Sequence, residues 1–146
     1  MVALPFSQTR ISVRDLPYGK LPKNLVTVGD HLKKNRIERK LLQKDVSLII
    51  GVTEDGYRFW ETNQAIPQIQ FIPKIIEFLG YNPISLDDES FKGKIKSYRV
   101  MNGLSQKKLG LLLEVNASTV SDWESGGSIQ SRKNKTLLEK LLNDKG

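Results

Sequence analysis

The chain has 146 residues, of which 38% are hydrophobic, with no cysteine and a formal net charge of +7. Without cysteine there can be no disulfide or thiolate metal site, and the longest apolar runs, such as Val46 to Val52, are far too short to span a bilayer. The N-terminus lacks the basic-then-apolar pattern of a secretory signal, so the expected location is the cytoplasm.

Residues 1–26 contain Pro5, Pro17, Gly19 and Pro22 and show no helical period, which predicts an extended arm. Its Arg10, Arg14, Lys20 and Lys23 could track a nucleic-acid groove, or the arm could pack across the first folded unit. Thr27 reads as the N-cap of a first helix, with Asp30 suited to the positive end of its dipole. Val28, Leu32, Asn35 and Ile37 approximate the inner face of that helix. A second helix is expected from Leu42 to Ile50 with Val46, Ile49 and Ile50 inward, broken by Gly51-Val52-Thr53. A third runs from Glu54 to Thr62, and a fourth, with Pro73 in its first turn, ends at Leu79-Gly80.

Tyr81 to Ser90 reads as a linker, its Asp87-Asp88-Glu89 run compensating the dipole of the next helix rather than binding a metal. The same order then recurs. A helix from Phe91 to Met101 precedes a break at Asn102-Gly103 and a helix capped by Ser105. After the turn Glu114-Val115-Asn116 come a helix from Ala117 to Ser125, the loop Gly126-Gly127-Ser128 and a final helix from about Lys135 to Leu142.

The recurrence has a period of 63 residues and needs no gap. Leu41, Gln43 and Lys44 fall on Leu104, Gln106 and Lys107; Arg36 falls on Arg99; Trp60-Glu61 falls on Trp123-Glu124. Apolar positions match between these identities, as in Leu32/Ile95, Val46/Leu109 and Ile50/Leu113. Each copy is about 55 residues, near the lower limit for a core that folds without staples. The charge is uneven: residues 27–84 carry eight basic and seven acidic residues, residues 85–146 eleven and eight. The positive balance points to a polyanionic partner, although mild excesses also occur in ordinary soluble proteins.

Two short helices joined by a three-residue turn inside a small helical unit are the parts of a helix-turn-helix. Both copies resemble the phage-repressor-type helix-turn-helix family, the Cro/C1 or XRE type. The second shows it best, in Gly103-Leu104-Ser105-Gln106-Lys107-Lys108-Leu109-Gly110 through Val115-Asn116-Ala117-Ser118-Thr119-Val120-Ser121-Asp122-Trp123-Glu124. The first carries it in Leu42-Gln43-Lys44-Asp45-Val46-Ser47, Gly51-Val52-Thr53 and Trp60-Glu61. The resemblance implies an all-α fold of two tandem lambda-repressor-like bundles behind the extended arm. The expected boundaries are an arm at 1–26, a divergent first domain at 27–82 and a second domain at 83–146.

It also implies roles. Gln43 and Gln106, in the first turn of the second helix of each unit, would bind phosphate and brace the third helix, the alternative being plain exposed polar residues. Lys44, Lys107 and Lys108 follow as phosphate contacts or as ordinary solvated lysines. Trp60 and Trp123 are read as core rather than as base-stacking residues. Arg36 with Glu61, and Arg99 with Glu124, resemble a buried ion pair tying the first helix to the third.

Base reading would fall to the exposed face of the third helix. In the second copy that face is Ala117, Ser118, Thr119, Ser121 and Asp122; in the first it is Glu54, Asp55, Gly56, Arg58 and Phe59. Small hydroxylated residues permit close approach and hydrogen bonds to base edges, whereas Glu54 and Asp55 face phosphate repulsion. The DNA-binding set is therefore Gln106, Lys107, Ala117, Ser118, Thr119 and Ser121, with Gln43, Lys44 and Arg58 from the weaker copy. Glu114 replaces the turn glycine represented by Gly51, which raises the expectation of a slightly different turn.

No nucleophile–base arrangement, phosphate-binding glycine loop or metal-ligand spacing is present, so no enzyme, cofactor or metal is expected. The lone His31 is expected on a solvated helix face. The expected function is sequence-specific binding of double-stranded DNA by a bacterial, nucleoid-associated transcription regulator. The alternative is an antitoxin-like adaptor whose first repeat binds a partner protein, with a homodimer also possible.

Overall fold

The computed structural model describes residues 18–84 and 88–144. Among them are eight α-helices, one 3-10 turn and no strand. Proximity divides the chain into two compact units, Met1–Ile66 and Pro67–Gly146. Arg10, Arg14 and most of the expected arm lie outside the described residues, while Lys20 and Lys23 are exposed.

The first unit contains α1 (Val28–Glu38), α2 (Gln43–Ile50) and α3 (Glu54–Glu61). Helix α1 starts in a capping box: Thr27 Oγ1 accepts from the Asp30 backbone at 3.0 Å, and Asp30 Oδ2 accepts from the Thr27 backbone at 2.9 Å. Its inner face is Gly29, Leu32 and Arg36, so a charged residue stands in the stripe that the apolar pattern assigned to Val28, Asn35 and Ile37. Leu32, Val46, Ile50, Tyr57 and Trp60 form the buried apolar set of this unit. Two of these five meet edge to face, Tyr57 against Trp60 with ring centroids 6.2 Å apart.

Ile49 departs from expectation. Helix α2 buries Val46, Ser47 and Ile50, a face too narrow to include it, so Ile49 is 50% and Leu48 72% exposed. The matching pair in the second unit, Leu111 and Leu112, is exposed as well.

The second unit opens with a 3-10 turn (Ile69–Phe71) and α4 (Ile72–Leu79), followed by α5 (Phe91–Met101), α6 (Gln106–Leu113), α7 (Ala117–Glu124) and α8 (Arg132–Asn143). Helix α4 has Pro73 in its first turn and ends at Gly80 in the left-handed region, φ 81°. The sequence period assigns α4 to the first copy, yet packing groups it with the second unit. A Cβ built on Gly103 would lie 2.9 Å from Pro73 Cδ, a contact that keeps this position free of a side chain. One core cluster of the unit is Ile95, Leu109, Leu113, Val120, Trp123 and Leu138, with Tyr98, Leu104, Ile129 and Leu142 packed around it, and α4 buries Ile72, Ile75, Phe78 and Leu79. Helix α8 starts three residues before the expected Lys135, because Ser131 caps it through Asn134 N–H at 3.3 Å. Within the acidic run, Asp88 accepts from the Ser90 backbone at 2.9 Å at the entry to α5; Asp87 lies outside the described residues.

The expected departure at Glu114 is absent. It takes up φ 58°, ψ 41°, close to the φ 85°, ψ 39° of Gly51, and both close the helix before the turn. Val115 N–H reaches Gly110 O at 2.8 Å as Val52 N–H reaches Ser47 O at 3.0 Å.

Candidate nucleic-acid interface

Each repeat holds its reading helix, α3 in the first and α7 in the second, with the same four hydrogen bonds. Arg36 Nε donates to Glu61 Oε1 at 2.5 Å and Nη2 to Oε2 at 2.9 Å; Arg99 does the same to Glu124 at 2.5 and 3.1 Å. The remaining guanidinium nitrogen donates to Leu41 O at 3.0 Å, and in the second unit to Leu104 O at 3.1 Å. Finally, Gln43 Nε2 donates to Glu61 at 3.0 Å and Gln106 Nε2 to Glu124 at 2.9 Å. A bidentate guanidinium–carboxylate pair fixes orientation as well as distance, so these contacts lock the first helix, the second helix and the third in one geometry.

The pairs are nearly dry: the side chains are 4% and 1% exposed in the first unit, 11% and 8% in the second. Burial raises the cost of charge on Glu124, but the hydrogen bonds from Arg99 and Gln106 and the positive charges of Arg99 and Lys96 outweigh it and hold its carboxyl below the usual range. Trp60 and Trp123 are both buried, as expected of core residues, and thus unable to stack on bases. His31 is only partly exposed, on the mixed flank of α1.

What remains outside is the surface that differs. Ser118 and Asp122 are exposed on α7, with Ala117, Thr119 and Ser121 half-exposed beside them. In the first unit Glu54, Asp55, Arg58 and Phe59 are exposed on α3, and Arg58 folds back onto its own helix. It pairs with Asp55 at 3.0 Å and lies 5.7 Å from the Phe59 ring centroid.

The helix starts differ in the same sense. Helix α6 opens with Gln106, Lys107 and Lys108, the lysines exposed and Ser105 Oγ capping Lys108 N–H at 3.1 Å. In α2 the residue matching Lys108 is Asp45, whose carboxylate turns back to the Leu42 backbone at 2.8 Å. A negative charge thus occupies the helix start where a phosphate would otherwise be favoured.

Asn116 is a further residue on this surface that the motif reading passed over. It is exposed, directly precedes α7, and makes no cap hydrogen bond through its side chain, whereas its counterpart Thr53 caps α3 through Gly56 N–H at 3.1 Å. An asparagine at an N-cap position is ordinarily assigned to capping, which hid it.

Among the described residues no cluster of histidines and carboxylates could hold a metal, and no helix is long and apolar enough to cross a membrane. Neither the curated proteins nor the solved structures include a match to the chain. A family model described as helix-turn-helix does match, twice, at residues 32–86 and 95–143. Both matches contain the full Arg–Gln–Glu lock and the turn between its helices. Domains of this kind are of the DNA-binding, transcription-regulator type and are generally non-enzymatic. The chain therefore belongs to the Cro/C1 (XRE) type of the helix-turn-helix family, in two tandem copies.

Proposed function

We propose that this protein is a sequence-specific reader of double-stranded DNA, with α7 of the second repeat placed in the major groove. The observation that carries this is the exposed face of α7. Ala117, Ser118, Thr119 and Ser121 give a small, hydroxylated surface with no carboxylate in its first turn, mounted rigidly on the Arg99–Glu124–Gln106 lock. Such side chains admit close approach to base edges and can donate or accept there. Asn116 adds an amide suited to an adenine edge or a phosphate oxygen.

Gln106, Lys107 and Lys108 at the start of α6 supply phosphate contacts that set the register of the helix. Gln43, Lys44 and Arg58 are the corresponding set in the first repeat, whose domain we take as 27–82 against 83–146 for the second. There Asp45, Glu54 and Asp55 oppose them, and the described groups on that surface bias it against DNA. The first repeat thus contributes weakly to affinity, and the cellular setting is the bacterial nucleoid.

The test is retention of the full chain on random duplex fragments across a salt series. Binding at low salt that weakens steeply with salt, and that Ser118→Glu and Gln106→Ala each diminish, is the expected result. No duplex retained at low salt would remove this reading.

A further inference from the structure

Each repeat exposes two adjacent apolar side chains that its own core does not use. Leu48 and Ile49 on α2 are 72% and 50% exposed; Leu111 and Leu112, their counterparts on α6, are 71% and 61% exposed. The buried faces of these helices belong to other residues, Val46, Ser47 and Ile50 in α2 and Leu109, Gly110 and Leu113 in α6. A single exposed leucine is ordinary on a protein surface. A pair that recurs at one register is not, when the exposed residues of α3 and α7 have diverged from Glu54, Asp55 and Arg58 to Ala117, Ser118 and Ser121. Neither leucine nor isoleucine can bond a phosphate oxygen, so backbone contacts to DNA do not account for the pair.

The surroundings of the two pairs differ in charge. One turn before them on the same helix face stand Lys44 and Asp45 in α2, and Lys107 and Lys108 in α6. Segment 43–55 carries one lysine and three carboxylates, Asp45, Glu54 and Asp55; the matching segment 106–118 carries two lysines and one carboxylate, Glu114. Lys133 meets Glu114 at 3.2 Å, which leaves the second surface to the exposed Lys107 and Lys108. Arg58 meets Asp55 at 3.0 Å, and among the described residues no ion pair reaches Asp45 or Glu54. Two like surfaces would set Lys108 against Lys108 or Asp45 against Asp45. Unlike surfaces bring the apolar pairs together with opposite charges at their edges.

We propose that the Leu48–Ile49 surface of one copy of the chain docks on the Leu111–Leu112 surface of a second copy. The contact is heterologous, so two of them used reciprocally close a dimer, and single ones join copies in a row. Each contact is small, which makes the association weak and reversible, and pairing at both surfaces strengthens it. It needs no DNA, and it stands or falls separately from base reading by α7.

Sedimentation velocity of the full chain without DNA, from the micromolar to the millimolar range, reads the association. Wild type should pass from monomer to dimer or larger species as concentration rises. Leu48→Gln with Ile49→Gln should weaken this by about tenfold or more, and so should Leu111→Gln with Leu112→Gln. All four positions are exposed and glutamine is a good helix former, so both variants should keep the wild-type circular dichroism. Each variant retains one of the two surfaces. Mixed in equal amounts they should associate again, a rescue that contacts between like surfaces cannot give. A wild type that stays monomeric throughout, as expected of surfaces that fit a different protein, would overturn the proposal. So would a variant that associates as wild type does, or a mixture that stays monomeric where wild type does not.

Discussion

Gly51 and Glu114 occupy the same left-handed turn, at φ 85° and φ 58°, one without and one with a side chain. A non-glycine residue there costs ~1–2 kcal/mol, partly offset by the extra freedom glycine has in the unfolded chain. Glu114→Gly should therefore stabilise the second unit by about 0.5–1 kcal/mol. The Lys133 contact it gives up, 3.2 Å between two largely exposed side chains, is worth little. Gly51→Ala should lower stability by a similar amount, and denaturant midpoints of the two variants should move in opposite directions.

The Arg99–Glu124 pair sets a second expectation. Removing one member of a buried pair strands the other, so Arg99→Ala should cost ~3–5 kcal/mol, enough to unfold a marginal small domain. Because the Glu124 carboxyl titrates below its usual value, its contribution is present above about pH 4.5 and is lost as pH falls through its lowered folded value. Acid titration followed by circular dichroism should show this loss, and it should be smaller in Glu124→Gln.

Tyr57 is fully buried, its ring is in the place of Val120, and its hydroxyl makes no hydrogen bond among the described atoms. Burial, then the nearby Glu61 charge, pushes its phenol far above the normal range, so it stays neutral beside the ion pair. Tyr57→Phe should be neutral or stabilising by about 1 kcal/mol, since an unsatisfied buried hydroxyl is removed. Tyr57→Val, which imports the second repeat's residue, should instead cost ~2–4 kcal/mol through the cavity it leaves. Thermal unfolding of the pair separates ring packing from the hydroxyl.

Much of this was legible from a period of 63 residues, because the lock is built from identities: Arg36/Arg99, Gln43/Gln106 and Glu61/Glu124 recur and make the same bonds. Helix ends marked by Thr27, Gly51, Ser105 and Gly80 were legible for the same local reason, that capping and left-handed turns select few residue types. Burial was less so. Ile49 and Leu112 are apolar at positions that match, yet both face water, since composition does not say how wide the buried face of a short helix is. The grouping of α4 with the second unit depends on packing between separate segments of the chain, which no local pattern encodes.

The contrast between the two reading surfaces predicts a charge effect. Glu54→Gln with Asp55→Ser should raise affinity for duplex DNA and steepen its salt dependence, since two repelling carboxylates leave α3. Gel-shift titrations at several salt concentrations report both quantities; unchanged affinity would mean that α3 stays away from the duplex.

The central claim, that α7 is the reading helix, is tested most directly by selecting bound sequences from a random duplex pool with the wild-type chain and with variants of each third helix. The account predicts a defined motif that Ser118→Glu abolishes and Ser121→Ala alters, while Glu54→Gln with Asp55→Ser leaves its bases unchanged. A motif indifferent to Ser118 and Ser121 but rewritten by the α3 changes would contradict it.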